Sequence, residues 1–464
     1  MVIHQYNESW TEEQIFKTAK KLEGLSLGQI DKSGWLNTKK NKGNIGNMIQ
    51  SDFFGIPANS IKGPDFNFHH IELKVTPIIP LKNDGVYSSK ERLVLGMINY
   101  MNDYKIPFEE SIVYKKANAM LLIFYLHEQN KDLRDFKIIK TVRFNLPNND
   151  FSQVEQDYNS ITTRIQEGTA EYITEKEQKI LGACTKGAGK GKDFVKQPFS
   201  NVLAKSRAYS YKSGYMTNFF RKIYSPEKIE HISFSQIVKP DKNIFIDNIL
   251  KTLDNFVGKT DAEIRNILNI KKSGKSDLFN IISKIFNSNG NINQTEEFLN
   301  EGLAIKTVQD RFTKGKNQDM SFPNLDFTEL LQDEYDTSSW ISLFEDTKYI
   351  LCVWRELEDG NNIFLSYKLW EPDNEFLQQL KDLYHYLHNL ILNENAKISI
   401  EYNAGGDEVW KDNISTSKKS YYPLQIRTKG TKNSKFVTLP DGTKTTKKCL
   451  FVDKRYIRKI IGLE

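Results

Sequence analysis

A chain of 464 residues with 39% hydrophobic and 12% aromatic side chains exceeds one ordinary core, so two or three domains are expected and disorder is excluded. Its formal net charge of +6 suits an anionic partner without demanding one, so the placement of the charges matters more than their sum. The three cysteines, Cys184, Cys352 and Cys449, lie too far apart for a paired metal motif and read as reduced thiols of a cytoplasmic protein.

In chain order, Met1 to Gln5 carries no charged-then-apolar signal pattern. Thr11-Glu12-Glu13-Gln14 is a capping box, followed by Ile15, Ala19 and Leu22 at helical spacing. A second helix is expected from near Gly46 to Phe54. Then comes Gly63-Pro64-Asp65, a short turn, and Ile71-Glu72-Leu73-Lys74-Val75-Thr76. The alternation predicts a strand with one buried face, which puts Glu72 and Lys74 on the same side. Asp65 can be brought beside them by the turn. Two carboxylates and an ammonium at a sheet edge can hold Mg²⁺ through oxygens and activate a water for phosphodiester hydrolysis. The same pattern also describes a solvated strand face with a cross-paired surface charge, which on pattern alone is the commoner case.

Beyond this strand a turn at Asn83-Asp84-Gly85 leads to Tyr87-Ser88-Ser89-Lys90-Glu91-Arg92-Leu93. Ala119 to Tyr125 reads as a buried strand, and its apolar run is far too short to cross a bilayer. Phe136 to Phe144 reads as its hairpin partner, and about Gln153 to Gln166 as a polar helix. A basic, glycine-rich stretch from Cys184 to Lys192 follows, with Lys205, Arg207 and Lys212 soon after. It fails as a phosphate loop, because Cys184 stands where the first glycine is needed and Gly191 follows Lys190. Gly258-Lys259-Thr260 fails likewise, with Leu253 at the glycine position, so no nucleotide cofactor is expected.

After a charged, Pro-interrupted segment from about Ser225 to Lys242, the order of features recurs. Ala304-Ile305-Lys306-Thr307-Val308 echoes the Glu72–Thr76 strand. Tyr349 to Trp354 and Ile363 to Tyr367 echo the strand pair, a helix from about Asn374 to Leu392 echoes the helix, and Arg427-Thr428-Lys429-Gly430 echoes Cys184-Thr185-Lys186-Gly187. Two copies of one α/β fold are therefore expected: residues 1–225, a linker at 226–242, and residues 243–464. In the second copy Ala304 stands in place of Glu72 and no Pro-Asp lies just upstream, so one copy cuts and the other only binds.

Leu25-Ser26-Leu27-Gly28, Lys42-Gly43-Asn44-Ile45-Gly46, Pro64-Asp65 and Ile71-Glu72-Leu73-Lys74 together resemble the MutH family. That family comprises a mismatch-repair nicking endonuclease and type II restriction endonucleases that cut at GATC. Tyr87 to Leu95, Cys184 to Ala188 and Lys212 to Thr217 resemble the restriction enzymes in particular, which carry a second, catalytically dead copy of the fold. The resemblance implies two tandem MutH-like folds, each a mixed central sheet flanked by helices. It also implies Mg²⁺ held by Asp65 and Glu72, with Lys74 positioning or deprotonating water or stabilising phosphate charge. Lys116 is either a supporting lysine or an ordinary strand-flanking charge. Where the family presents a third acidic residue this chain has Gln50, and Cys184 stands at the place of a base-reading arginine, with Arg427 at the equivalent place in the second copy. Lys90, Arg92, Lys186, Lys190, Lys205, Arg207, Lys212, Arg427 and Lys429 are the candidate DNA contacts, phosphate being their expected target. The expected function is hydrolysis of duplex DNA at GATC, with a second DNA site on the C-terminal copy and dimerisation on DNA left open. A repair-type nickase and a non-catalytic DNA-binding regulator are the rival readings.

Overall fold

The structure is a computed structural model that describes residues 3–37, 43–57, 63–81, 85–117, 119–129, 131–186, 193–233, 245–274, 276–311, 317–406, 408–430 and 436–463. Lys190, the turn residues Asn83 and Asp84, and most of the expected linker lie outside them. The chain divides into two compact units, Met1–Lys228 with Leu331–Glu345, and Ile229–Leu330 with Asp346–Glu464.

The first unit opens with the helix Glu12–Ala19, closed at its start by the expected capping box: Thr11 accepts from Gln14 N, and the Gln14 side chain accepts from Thr11 N. The second expected helix is an α-helix, Asn44–Met48, that widens into a π-helical turn, Ile49–Phe53. Its freed carbonyls are taken up by the N-terminal segment, where Ile3, His4 and Tyr6 donate to Asp52, Phe53 and Phe54. A four-stranded sheet follows, in the order Tyr87–Ser89, Glu72–Pro80, Met120–Leu126, Ile138–Phe144. The two central strands run parallel and both outer pairings are antiparallel.

The Met120–Leu126 strand is apolar throughout because both of its faces are covered. Leu121 and Ile123 pack with Ile15, Met48 and Phe54 on one side, whereas Leu122 and Phe124 pack with Val154, Tyr158 and Ile161 of the helix Asn148–Gln166 on the other. That helix, expected as a polar one from about Gln153, starts earlier, directly after Pro147 at its N-cap. A second sheet, Leu93–Met97, Arg207–Tyr211, Leu181–Thr185, closes the same core with Leu93, Leu181, Tyr209 and Tyr211.

In the second unit the strand Leu303–Asp310 runs parallel to Lys348–Glu356, which pairs antiparallel with Asn362–Trp370. The helix Asn374–Leu392 comes next, and a second sheet combines Met320–Asn324, Lys448–Val452 and Leu424–Thr428. Ile305, Ile350, Cys352 and Trp354 form its core with Ile249, Ile264 and Ile281. The sense of pairing along this unit matches that along the first: a parallel pair, an antiparallel partner, then a helix of 19 residues in each case.

The division expected from the sequence was linear, and the observed one is not. Residues 331–345 group with the first unit, where Ile341 and Phe344 are fully buried. Asp333 there pairs with Lys90 at 3.1 Å, the two side chains being only 3% and 8% exposed. Removing one partner of such a pair withdraws compensation from a buried charge. Asp333→Ala should therefore lower stability by about 3–5 kcal/mol in urea unfolding of the full chain, and the double change Asp333→Leu with Lys90→Met should recover most of the loss.

Candidate active site

The turn that delivers Asp65 is held by its neighbour. Phe66 is fully buried, packing edge-on against Phe54 and Tyr6 at ring separations of 5.1 Å each. Since Phe54 ends the π-helical turn that carries Gln50, one aromatic cluster fixes both the Asp65 turn and the Gln50 turn. Phe66 and Ile71 close the turn through a backbone bridge, and His70 takes a left-handed conformation, φ 53°, to reverse the chain. The result is that Asp65 Oδ2 accepts a hydrogen bond of 2.8 Å from the backbone N–H of Leu73, one residue past Glu72.

On the strand, Ile71 and Leu73 enter the core on one side, and Glu72 and Lys74 share the other, as the alternation predicted. Further along that second face Ile78 is fully buried, so Glu72 and Lys74 stand where a dry core layer gives way to an open edge. Glu72 Oε1 lies 2.9 Å from Lys74 Nζ and 2.7 Å from Lys116 Nζ. The lysine side chains are about a quarter exposed and Glu72 is 8% exposed. Burial alone would favour the neutral acid at Glu72. The Lys74 charge, together with hydrogen bonds from both lysines, outweighs it and holds the carboxyl below its usual range. Asp65 behaves oppositely: burial, reinforced by the charge of Glu72, raises it against the Leu73 hydrogen bond. Lys116, on the helix Ile112–Ala117, reaches Glu72 rather than standing apart from it.

The donor set fits a hard divalent cation. Asp65 and Glu72 offer carboxylate oxygens whose mutual repulsion a cation between them would relieve, and the Gln50 amide oxygen is a neutral ligand of the same class. Gln50 is 8% exposed, and among the described residues its side chain has no hydrogen-bond partner. Asp52 is no substitute. Its carboxylate accepts from Lys32 N, Ser33 N and the Ser33 hydroxyl, and these bonds, working against burial, hold it below its usual range. No group of three His, Cys, Asp or Glu converges among the described residues, so a metal here would complete its shell with water.

Several cations put forward for phosphate contact lie inside the protein instead. Lys90 is paired with Asp333, and Arg92 forms a buried ion pair with Glu175. Arg207 donates to the Ala183 carbonyl at 2.7 Å, and Lys212 to the carbonyls of Glu175 and Gln178 at 3.2 and 2.8 Å. These four hold backbone and carboxylates that the two sheets bring close, a role no local pattern signals. Lys186 and Lys205 are half-buried, and Lys190 lies outside the described residues. In the second unit Arg427 lies 3.0 Å from Asp319 and 4.0 Å over the Phe451 ring, and Lys429 is exposed.

The second unit also contains a residue that sequence reasoning missed. Asn293 Oδ1 accepts 2.7 Å from Ile305 N, as Asp65 does from Leu73 N, and Asn293 Nδ2 donates 3.0 Å to Ile305 O. Ile305 precedes Lys306 as Leu73 precedes Lys74. The helix Glu296–Glu301 intervenes between Asn293 and its strand, so there is no Pro-Asp-like spacing to find. Burial, then the nearby Lys429 charge, pull the Lys306 ammonium down to about 8.

Residues 54–157 match the family described as DNA mismatch repair enzyme MutH. Over 380 residues, 79% of this chain, the sequence is 31% identical to the type II restriction enzyme Sau3AI of Staphylococcus aureus, of which 76% is covered. The MutH match contains Asp65, Glu72, Lys74 and Lys116.

The bond from Lys116 to Glu72 makes a specific prediction. Lys116→Met should reduce DNA cleavage about 10- to 100-fold, the usual effect of losing a partner that orients a metal-ligating carboxylate. Lys115→Met, at the exposed neighbouring position, should leave the cleavage rate within about twofold.

Proposed function

The chain belongs to the MutH-related type II restriction enzymes and is a site-specific deoxyribonuclease, and from that premise we propose that it hydrolyses both strands of duplex DNA at 5′-GATC-3′ with Mg²⁺. Residues 54–157 would be the heart of a catalytic MutH-like copy, and the second unit a degenerate copy that binds a further DNA site. The observation that carries the reading is the cluster itself. Glu72 lies between Lys74 and Lys116 at the open end of the strand, with Asp65 pinned to the next backbone amide.

Asp65 and Glu72 would hold the cation, with Gln50 contributing its amide oxygen. Mg²⁺ bound there supplies Lewis-acid polarisation of the phosphate and a more acidic bound water. Lys74, partly exposed, then faces the reacting phosphate: its ammonium orients the attacking water and opposes the negative charge that develops on the phosphoryl oxygens. Lys116 keeps Glu72 ionised and correctly turned. With Lys90, Arg92, Arg207 and Lys212 engaged internally, phosphate contacts fall to Lys186, Lys190 and Lys205 in the first unit and to Arg427 and Lys429 in the second. Support for a second copy comes from the shared order of strand pairings and helix, the retained Lys306, and Asn293 in the bond that Asp65 makes.

Asp65→Asn and Lys74→Ala should each abolish cleavage while leaving duplex binding in a mobility-shift assay largely intact. Full cutting by either variant would sink the assignment. On supercoiled plasmid carrying one GATC site, wild-type protein with Mg²⁺ should yield linear DNA. Accumulation of nicked circles alone would favour the repair-type reading. Plasmids with two sites should be cut roughly 5- to 150-fold faster than one-site plasmids at matched site concentration, the range expected for a coupling of about 1–3 kcal/mol.

A further inference from the structure

Beside the strand Leu303–Asp310 the second unit opens a cleft of about 530 Å³, whose lining includes Asn291, Asn293, Lys306, Arg311, Asp319 and Ser321. Aligning the two strands on their lysines places Ala304 with Glu72 and Lys306 with Lys74, and Asn293 bonds the backbone amide before the lysine as Asp65 does. The chemistry left by these replacements differs in kind from that of the first unit. Asn293 has both amide atoms pinned to the backbone of Ile305, its oxygen accepting from N–H and its nitrogen donating to the carbonyl. Ala304 offers no oxygen on its side chain. These three positions offer no carboxylate and no free amide oxygen, so they lack the ligands with which Asp65 and Glu72 would hold a divalent cation.

The lysine is nevertheless present, and its partnering has changed. In the first unit the Lys74 ammonium is matched by Glu72 at 2.9 Å. Lys306 Nζ instead donates to the Ser321 carbonyl at 3.1 Å and lies 4.5 Å over the Phe322 ring, and among the described residues it has no carboxylate partner. The Asp319 carboxylate of the cleft is already taken by Arg427 at 3.0 Å and Lys418 at 3.5 Å, so it does not neutralise Lys306. A half-buried ammonium with no counter-ion, at the wall of a roomy polar cleft, is a site for an anion.

We propose that this cleft is a metal-independent phosphodiester site, in which a backbone phosphate of duplex DNA sits on Lys306 where the first unit would use a cation. The proposal rests on the reading that the second unit binds DNA, and it adds how. Loss of both carboxylates removes the repulsion that a bare phosphate would meet in the first site, and retention of the lysine leaves one fixed charge to hold it. Binding there needs no metal and leads to no hydrolysis, since no carboxylate remains to hold the metal that activates a water.

The test uses the full-length chain and a short fluorescein-labelled GATC duplex in EDTA, with anisotropy titration and stoichiometry as readouts. Wild-type protein should take up two duplexes per chain without metal. Lys306→Ala should weaken one of the two sites about tenfold or more and make its salt dependence shallower by about 0.9 in the log–log slope, the signature of one lost phosphate contact. Lys306→Arg should restore both. The double change Asn293→Asp with Ala304→Glu should weaken that same site in EDTA and return its affinity on adding Mg²⁺. Two unchanged sites in Lys306→Ala, or a wild-type second site that forms only with Mg²⁺, would overturn the proposal while leaving two-site binding in place. A wild-type stoichiometry of one duplex per chain would instead remove the reading on which the proposal stands.

Discussion

The parallel pairing of Glu72–Pro80 with Met120–Leu126 is the constraint on which the site depends. Its register sets Glu72 beside Met120 and Lys74 beside Leu122. A slip of one residue would exchange the two faces of the strand, turning Leu73 outward and driving Glu72 and Lys74 into the layer that contains Ile15, Met48 and Phe54. Burial on both sides therefore locks the register far more firmly than the backbone hydrogen bonds alone. The chemistry sits where this locked pair reaches the edge of its second core layer. From Ile78 back to Glu72 the same face passes from a dry interior to a polar opening, and that gradient explains a carboxylate that is 8% exposed yet held ionised by two lysines.

Around this frame the cations divide into two populations. Arg92, Arg207 and Lys212 tie the second sheet to the Glu175–Gln178 segment and to the Ala183 carbonyl. Lys90 receives Asp333 from the stretch 331–345, which returns to the first unit long after the chain has left it. Buried charges of this kind are tolerated only when each finds a partner, and here each does. Of the cations put forward for DNA contact, Lys186 and Lys205 keep partial and Lys429 full solvent exposure.

The two units, alike in the order and sense of their strand pairings, carry opposite electrostatic arrangements beside Lys74 and Lys306. In one, two carboxylates and two ammoniums share a small volume, a balanced set that a divalent cation can enter. In the other, an asparagine makes the positioning hydrogen bond without the charge, and the lysine remains uncompensated. The positioning bond to the backbone amide before the lysine is common to both, which suggests that it serves the turn's geometry as much as the chemistry.

The sequence by itself determined most of what depends on local periodicity. The capping box at Thr11, the Glu72–Lys74 alternation, the apolar strand from Met120, its hairpin partner and the Asn374–Leu392 helix all follow from short-range spacing, and all are present in the structure. The resemblance carried by Pro64-Asp65 and Glu72-Leu73-Lys74 led to a nuclease of the right family because those residues are close together in the chain. What required the tertiary structure was every relation across long separations. Lys116 reaches Glu72 from a helix more than forty positions away, and nothing near it in sequence distinguishes it from the exposed Lys115. Lys90, Arg92, Arg207 and Lys212 look like a solvent-facing basic face until two sheets close over them. Asn293 meets Ile305 only because an intervening helix folds back, and residues 331–345 join the first unit only through packing of Ile341 and Phe344. Charge and hydrophobicity are legible residue by residue, but which charge meets which partner is set by how the chain closes on itself.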